Sequence, residues 1–202
     1  MNQIQLGESD IHITPVIMGT WQAGKQMWTG IDDGETQRAL RAAFDAGITT
    51  IDTASMYGNG HSERIIARSL GDVRHEVVYA TKVFANQLAR DQVFKACHQS
   101  LRNLNTDHID LYQIHWPAGS FGSRPVPVSE TLGAMAKLKQ QGKIRAIGVS
   151  NFSRAQLEEA LQVTRIDSLQ PPYSLFWRQV EDDAMPLCRQ EKVTVLAYSP
   201  LA

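Results

Sequence analysis

Residues 48–63 read ITTIDTASMYGNGHSE. Ile48, Thr49, Thr50 and Ile51 are a β-branched run of the kind that forms a buried strand. The run ends on a carboxylate, Asp52. Tyr57 follows, and then Gly58, Asn59 and Gly60 mark a loop. Ser62 and Glu63 open a helical pattern. A buried strand thus delivers Asp52 to its C-terminal end, and the next loop carries a phenol. In parallel α/β folds, ligands and chemistry gather at that end of the strands. A plainer reading has Asp52 capping the loop and Tyr57 as a half-buried aromatic. This stretch alone does not choose between the two.

The surrounding chain repeats the pattern. Residues 4–7 and 11–14 read as a small N-terminal β-hairpin around Glu8, Ser9 and Asp10. A short strand over 16–20 ends at Gly19-Thr20-Trp21. Asp33 reads as the N-cap of a helix that Gly47 stops. The strand 77–81 (VVYAT) ends at Lys82. Asp91 reads as the cap of a helix with Val93, Phe94, Cys97, Leu101 and Leu104 on one side. The strand 109–114 (IDLYQI) ends at His115, and a long loop runs over 116–128. Ser129 reads as the start of a helix stopped by Gly142. The strand 144–149 ends at Ser150-Asn151, and Ser153 with Gln156 forms a capping box. Ser168 and Leu169 lead to Gln170. Residues 180–190 read as one helix, and the strand 193–197 ends at Tyr198.

Strand starts near 48, 77, 109, 144, 168 and 193 lie about 24 to 35 residues apart, the size of a βα unit. Two α/β architectures fit: an open doubly wound sheet and a (β/α)8 TIM barrel. The Gly-rich fingerprint expected after the first strand of a dinucleotide-binding open sheet is missing. Polar groups instead end nearly every strand, from Asp52 to Tyr198. A barrel collects its site from all its strands, so the pattern favours the barrel. Residues 1–202 read as a single domain with no linker.

Composition is that of an ordinary globular chain: 202 residues, 43% hydrophobic, 20% charged, formal net charge -1. No basic footprint points to nucleic acid or an anionic membrane. No apolar run approaches the ~20 residues of a membrane span, and no signal peptide is visible. Cys97 and Cys188 lack metal-ligand spacing, so no metal is expected. They read as buried free thiols, which fits a cytoplasmic location.

Asp52, Lys82 and His115 end successive strands, and Tyr57 lies in the loop after the first of them. Each alone has a plain reading, Lys82 as a surface charge and His115 as a satisfied core histidine. Together, in a barrel, the four converge at one mouth. At this point the sequence resembles the aldo-keto reductases, in their bacterial, soluble form. The motifs that carry the resemblance are Gly19-Thr20-Trp21, IDTASMYGNGHSE at 51–63, ATK at 80–82 and DLYQIHW at 110–116. GKIRAIGVSNF at 142–152, QPPYSLFWR at 170–178 and VLAYSPLA at 195–202 continue it.

The resemblance implies a (β/α)8 barrel that reduces aldehydes and ketones with NADPH, NADH remaining open. It implies Asp52, Tyr57, Lys82 and His115 as catalytic residues, with Tyr57 as general acid. Ser150, Asn151 and Gln170 would bind the nicotinamide carboxamide, and Tyr198 would stack on its ring. Gly19, Thr20, Trp21 and Asp52 would also meet the cofactor, and Ser199 and Leu201 would begin a pyrophosphate cradle. Trp21, Tyr57, His115 and Trp116 would face a small carbonyl substrate. A phenol has a pKa of ~10, and an ammonium beside it favours the phenolate. Lys82 is therefore expected to lower the pKa of Tyr57, with Asp52 keeping Lys82 charged. Members of the family carry an eighth strand and a C-terminal loop beyond the seventh strand, so an incomplete barrel is expected here. A cofactor-binding regulatory protein and an inactive fragment are the rival readings.

Overall fold

A computed structural model describes residues 2–201. The hairpin comprises β1 (Ile4–Gln5) and β2 (His12–Ile13), antiparallel with Ile4 opposite Ile13. Seven strands then form one parallel sheet: β3 (Met18–Gly19), β4 (Thr50–Asp52), β5 (Val78–Val83), β6 (Ile109–Ile114), β7 (Ile144–Ser150), β8 (Ser168–Gln170) and β9 (Thr194–Val195). Their order in the sheet is their order in the chain. Parallel neighbours need crossovers, here largely the helices α1 (Asp33–Asp45), α2 (His61–Leu70), α3 (Arg90–Leu104), α4 (Val128–Gln140), α5 (Arg154–Val163) and α6 (Met185–Gln190). Crossovers of one hand between sequential neighbours put every helix on the same face, and the sheet curls with its other face inward. The result is a parallel half-barrel, seven strands of an incomplete (β/α)8 fold.

The two-residue period of the strands sorts side chains between the layers. Tyr112 and Ile114 of β6 and Ile147 and Val149 of β7 face out, into one core cluster with Leu132, Met135 and Leu138 of α4. The alternate residues face in and change character along the strands. At the N-terminal end, Ala80, Leu111, Ala146 and Leu196 pack against Leu6, Ile11 and Ile13 of the hairpin, all buried. The hairpin therefore plugs the floor. At mid-height stand Gly148 and Ser168, where a Cβ on Gly148 would collide with the Ser168 hydroxyl and come within 2.9 Å of Gln113 Cγ. At the C-terminal end the inward positions are Asp52, Lys82, Gln113, Ser150 and Gln170.

Several boundaries differ from the sequence expectation. The cap of α1 is Asp32, whose Oδ1 accepts from the Glu35 N–H at 2.8 Å, not Asp33. Asp91 lies inside α3. The helix starts at Arg90, and the carboxylate of Glu130 on α4 accepts the Arg90 N–H at 2.9 Å. A cap supplied by a neighbouring helix leaves no local sequence signature. Helix α4 starts one residue early, at Val128 after Pro127. The helix expected over 180–190 is a 3₁₀ turn at Gln179–Glu181 followed by the short α6, because Pro186 is tolerated only in a first turn. The outer strands β3 and β9 pair over two residues each, less than the apolar runs around them. The Ser153–Gln156 capping box is present. Both cysteines are buried and free. Among the described residues no helix is long and apolar enough to cross a membrane.

The floor plug makes a direct prediction. Leu111 is 1% exposed, and truncation of such a residue costs about 2–5 kcal/mol. Leu111→Ala should lower the urea midpoint accordingly. A loss below about 1 kcal/mol would mean that the floor repacks freely and the hairpin is not wedged against it.

Candidate active site

The site is built on the C-terminal ends of β4 to β8. Lys82 is 1% exposed and is the penultimate residue of β5. Its Nζ donates to Asp52 Oδ2 at 2.6 Å and to the Thr53 carbonyl at 2.8 Å. The second oxygen of Asp52 accepts from Gln170 Nε2 at 3.1 Å, with Gln113 Nε2 at 3.5 Å. Burial disfavours the charged form of Lys82, but Asp52 and the Tyr57 oxygen outweigh it and raise the pKa. Lys82 is an ammonium at every ordinary pH.

Tyr57 stands over this pair, with Lys82 Nζ 5.6 Å from its ring centre. The loop that carries it is pinned at several points. A Cβ on Gly24 would lie 2.7 Å from the Tyr57 carbonyl carbon, so the 3₁₀ turn Gln22–Gly24 packs backbone to backbone against it. Below, the Ser62 hydroxyl donates to Thr20 and meets Thr53 Oγ1 at 2.9 Å. The Thr20 hydroxyl donates in turn to the Asp52 carbonyl at 2.9 Å. Burial raises the pKa of Tyr57, Lys82 lowers it, and Asp52 raises it, for a net rise. The expected pull of Lys82 is present, but partial burial of the phenol exceeds it.

His115 follows β6, and its backbone N–H donates to the Val83 carbonyl at 2.9 Å. Burial and the Lys82 charge push its pKa down to about 3, so the imidazole is neutral. Its Nδ1 is buried without a protein partner among the described residues. The ring edge-packs on Tyr57 at 5.8 Å and on Phe84 at 5.7 Å. Phe84 stacks on Phe121 at 5.6 Å, and Phe121 meets Trp116 at 5.1 Å. This aromatic wall includes two residues, Phe84 and Phe121, that the sequence reading missed. Phe84 follows Lys82 by two positions, and that closeness to a strand end was the available signal. Phe121 sits in an irregular loop with no periodicity to place it. Trp21 pairs with Trp28 at 5.3 Å, a partner also missed, and stays 45% exposed.

At the ends of β7 and β8 the polar groups interlock. The Ser150 hydroxyl donates to the Gln170 carbonyl at 2.8 Å. Asn151 Nδ2 donates to the His115 carbonyl and to Ser150 Oγ, both at 3.0 Å. The Tyr198 hydroxyl donates to Asn151 Oδ1 at 2.8 Å. Asn151 adopts a left-handed backbone, φ 62°, which turns the chain sharply after β7. This set, a hydroxyl and two carboxamides beside a half-buried phenol ring, has the donors and acceptors that a nicotinamide carboxamide requires. A bound carboxamide would take over some of the hydrogen bonds that Ser150, Asn151 and Tyr198 make with one another. Thr20 is 3% exposed with its hydroxyl spent inside the protein. Gly19 is paired with Asp52 in register and faces open space. Ser199 and Leu201 are exposed beyond β9.

A parallel half-barrel with a buried Lys–Asp pair, a phenol and a neutral imidazole at its C-terminal mouth defines a class of α/β barrel enzyme fold. Residues 15–202 match the model of the aldo/keto reductase family, and the chain belongs to that family. It is 39% identical over 211 residues to the aldo-keto reductase YhdN of Bacillus subtilis, covering 100% of this chain and 62% of that protein. It is 34% identical to an NADH-specific methylglyoxal reductase of Escherichia coli, covering 100% of this chain and 68% of that protein. It superimposes on an aldo/keto reductase from Klebsiella pneumoniae in complex with NADP and acetate with TM-score 0.87 and 34% identity, covering 98% of this chain and 68% of that one. The chain thus spans about two thirds of the length of the curated relatives it matches.

The neutral His115 gives a pH signature. Its pKa falls from 6.5 to about 3 on folding. Between those values the unfolded chain binds a proton that the folded chain refuses, so stability drops as pH falls from about 6.5. From pH 6.5 to 5 this side chain accounts for at most about 2 kcal/mol. Urea melts at pH 7 and pH 5 should show a larger loss for the wild type than for His115→Gln. Equal losses would mean that His115 is not held neutral.

Proposed function

We propose that this protein reduces small aldehydes and ketones to alcohols, with Tyr57 as the proton donor and Asp52, Lys82 and His115 supporting it. NADPH is the cofactor in this reading, by analogy with the NADP-bound relative, and NADH is a second possibility set by the NADH-specific one. The bound nicotinamide supplies the hydride that reaches the carbonyl carbon. The residues of this chain manage the charge that then develops on the carbonyl oxygen.

The observation that carries the proposal is the ammonium of Lys82, buried, locked to Asp52 and 5.6 Å from the Tyr57 ring. Burial keeps the Tyr57 proton in place at neutral pH, so the phenol is ready as an acid. When the proton passes to the carbonyl oxygen, the phenol oxygen becomes negative and the fixed ammonium stabilises it. Two unit charges about 4 Å apart interact by about 4 kcal/mol at an effective dielectric near 20, which sets the scale of this stabilisation. The interaction strengthens only as the proton leaves, which is the condition for lowering a barrier. His115, being neutral, offers an N–H to the carbonyl oxygen without competing as an acid. One hydride and one proton reach each carbonyl, and solvent returns the proton to Tyr57.

Ser150, Asn151 and Gln170 are read as the carboxamide-binding set, Tyr198 as the platform for the ring, and Trp21 and Trp116 with Phe84 as the substrate walls. Gly19, Ser199 and Leu201 are read as further cofactor contacts. The small ketoaldehyde methylglyoxal, acted on by a relative, is a first substrate to try. The domain is read as one barrel unit, without nucleic acid or membrane partners, and two free buried thiols suit the cytoplasm.

Tyr57→Phe should cut turnover by ~10²- to 10⁴-fold in an NADPH-oxidation assay, with cofactor affinity by fluorescence unchanged. Retention of more than about a third of wild-type turnover would remove Tyr57 from the acid role. Lys82→Met should slow turnover and move the alkaline limb of the pH profile upward, because the lost ammonium no longer favours the phenolate. An alkaline limb that does not move would show that Lys82 does not act on the phenol.

A further inference from the structure

The segment that carries Tyr57 is fastened at both ends to two consecutive residues of β5. Near its start, the Ser55 hydroxyl donates to the Lys82 carbonyl at 2.9 Å. At its end, in the first turn of α2, one oxygen of Glu63 accepts from the Thr81 hydroxyl at 2.8 Å. Tyr57 lies between these two fastenings, and Thr81 directly precedes Lys82. The phenol and the ammonium therefore sit on two stretches of chain that are tied to each other twice.

The second oxygen of Glu63 accepts from Asn103 Nδ2 of α3 at 2.8 Å. The same amide lies against the turn that closes the Tyr57 loop. Gly60 has φ 79°, and a Cβ there would collide with Asn103 Nδ2. Asn103 Oδ1 accepts in turn from Gln99 Nε2 at 3.0 Å and from Arg64 Nη1 at 3.3 Å. Both oxygens of Glu63 thus meet donors that are themselves held. Glu63 and Thr81 are fully buried, and Asn103 is nearly so.

Packing alone does not call for a carboxyl group at this position. Burying one is costly unless its oxygens find donors. The distinctive property of such a group is direction. Apolar contacts are non-directional, whereas a hydrogen bond weakens steeply once its length or angle is off. Bonds from Ser55, Thr81 and Asn103 leave the Tyr57 loop little freedom to ride away from β5.

We infer that Glu63 is a positioning residue that, through Thr81 and Asn103, holds the Tyr57 loop in place against Lys82. The inference rests on the proposed reductase activity, which gives that placement its catalytic purpose. Glu63 lies behind the sheet, away from the mouth, so it acts on the chemical step rather than on binding. A phenol that drifts from the ammonium loses stabilisation of its phenolate, and a misplacement of about 1 Å can cost ~10²-fold in rate.

The test uses the full chain with NADPH or NADH and propanal, for wild type, Thr81→Val and Thr81→Ser. Valine keeps the shape of threonine and withdraws the donor, whereas serine keeps the donor. Thr81→Val should lower kcat about ten- to a hundredfold with the KM for propanal unchanged. Its alkaline limb should move upward as the phenol leaves the ammonium. Thr81→Ser should stay within about threefold of the wild-type kcat, with the limb in place. A Thr81→Val protein that melts earlier but keeps kcat within about fivefold of wild type, or keeps its alkaline limb, would reduce Glu63 to a structural tie and overturn the inference. An equal loss of kcat in Thr81→Ser would overturn it too. If Thr81→Val does not fold, Asn103→Ala withdraws the other donor and is held to the same expectations. If the wild type turns over no propanal with either cofactor, the reductase reading fails, and amide hydrogen exchange over residues 53–60 decides the positioning separately. Faster exchange there in Thr81→Val, restored in Thr81→Ser and absent from α5, would uphold it. Exchange equal to wild type would overturn it.

Discussion

The structure depends on keeping a charge where water cannot reach it. A buried ammonium costs several kcal/mol to desolvate and tends to shed its proton. Lys82 avoids this because Asp52 and the Thr53 carbonyl sit on the neighbouring strand end, at 2.6 and 2.8 Å. Asp52 is fixed in turn by the Gln170 amide from β8, four strands away in the sheet. The Thr20 hydroxyl holds the Asp52 backbone from β3's side. One ion pair thus draws on groups from both flanks of the sheet. A slip of one residue in any of these strands would turn the inward side chain outward and leave the charge unpaired.

That dependence explains what could be read from the sequence. Asp52, Lys82 and His115 were legible because strand endings are legible: a β-branched or apolar run stops, and the next residue stands at the mouth. Gln170 and Ser150 followed by the same rule. Geometry across strands was not legible. No local pattern announces that Glu130 caps the helix before it, that Phe84 rather than Trp21 packs on His115, or that Thr20 serves the Asp52 backbone. The direction of the Tyr57 shift also escaped, because a charge partner can be inferred from strand order while the degree of burial cannot.

A second buried carboxylate shows a different way of meeting the same cost. Glu63 is fully buried, as is Thr81, whose hydroxyl donates to it at 2.8 Å; the Asn103 amide does the same from α3. No cation approaches it closely among the described residues. Neutral donors suffice here because Glu63 lies behind the sheet, between β5, α2 and α3, and ties the three together. Lys82 on the inward face of β5 and Thr81 on the outward face are consecutive residues. The alternation of the strand therefore separates a polar framework from a reactive one across a single peptide bond.

The plugged floor has a consequence for traffic. With Leu6, Ile11 and Ile13 wedged among Ala80, Leu111, Ala146 and Leu196, the floor of the lumen is closed by apolar side chains. Such a floor is a poor path for protons. On the proposed chemistry, the proton that Tyr57 gives up comes back on the side of the mouth, where substrate enters and alcohol leaves. Recharging the acid and clearing the site then become a single event, and a molecule lingering at the mouth would delay both.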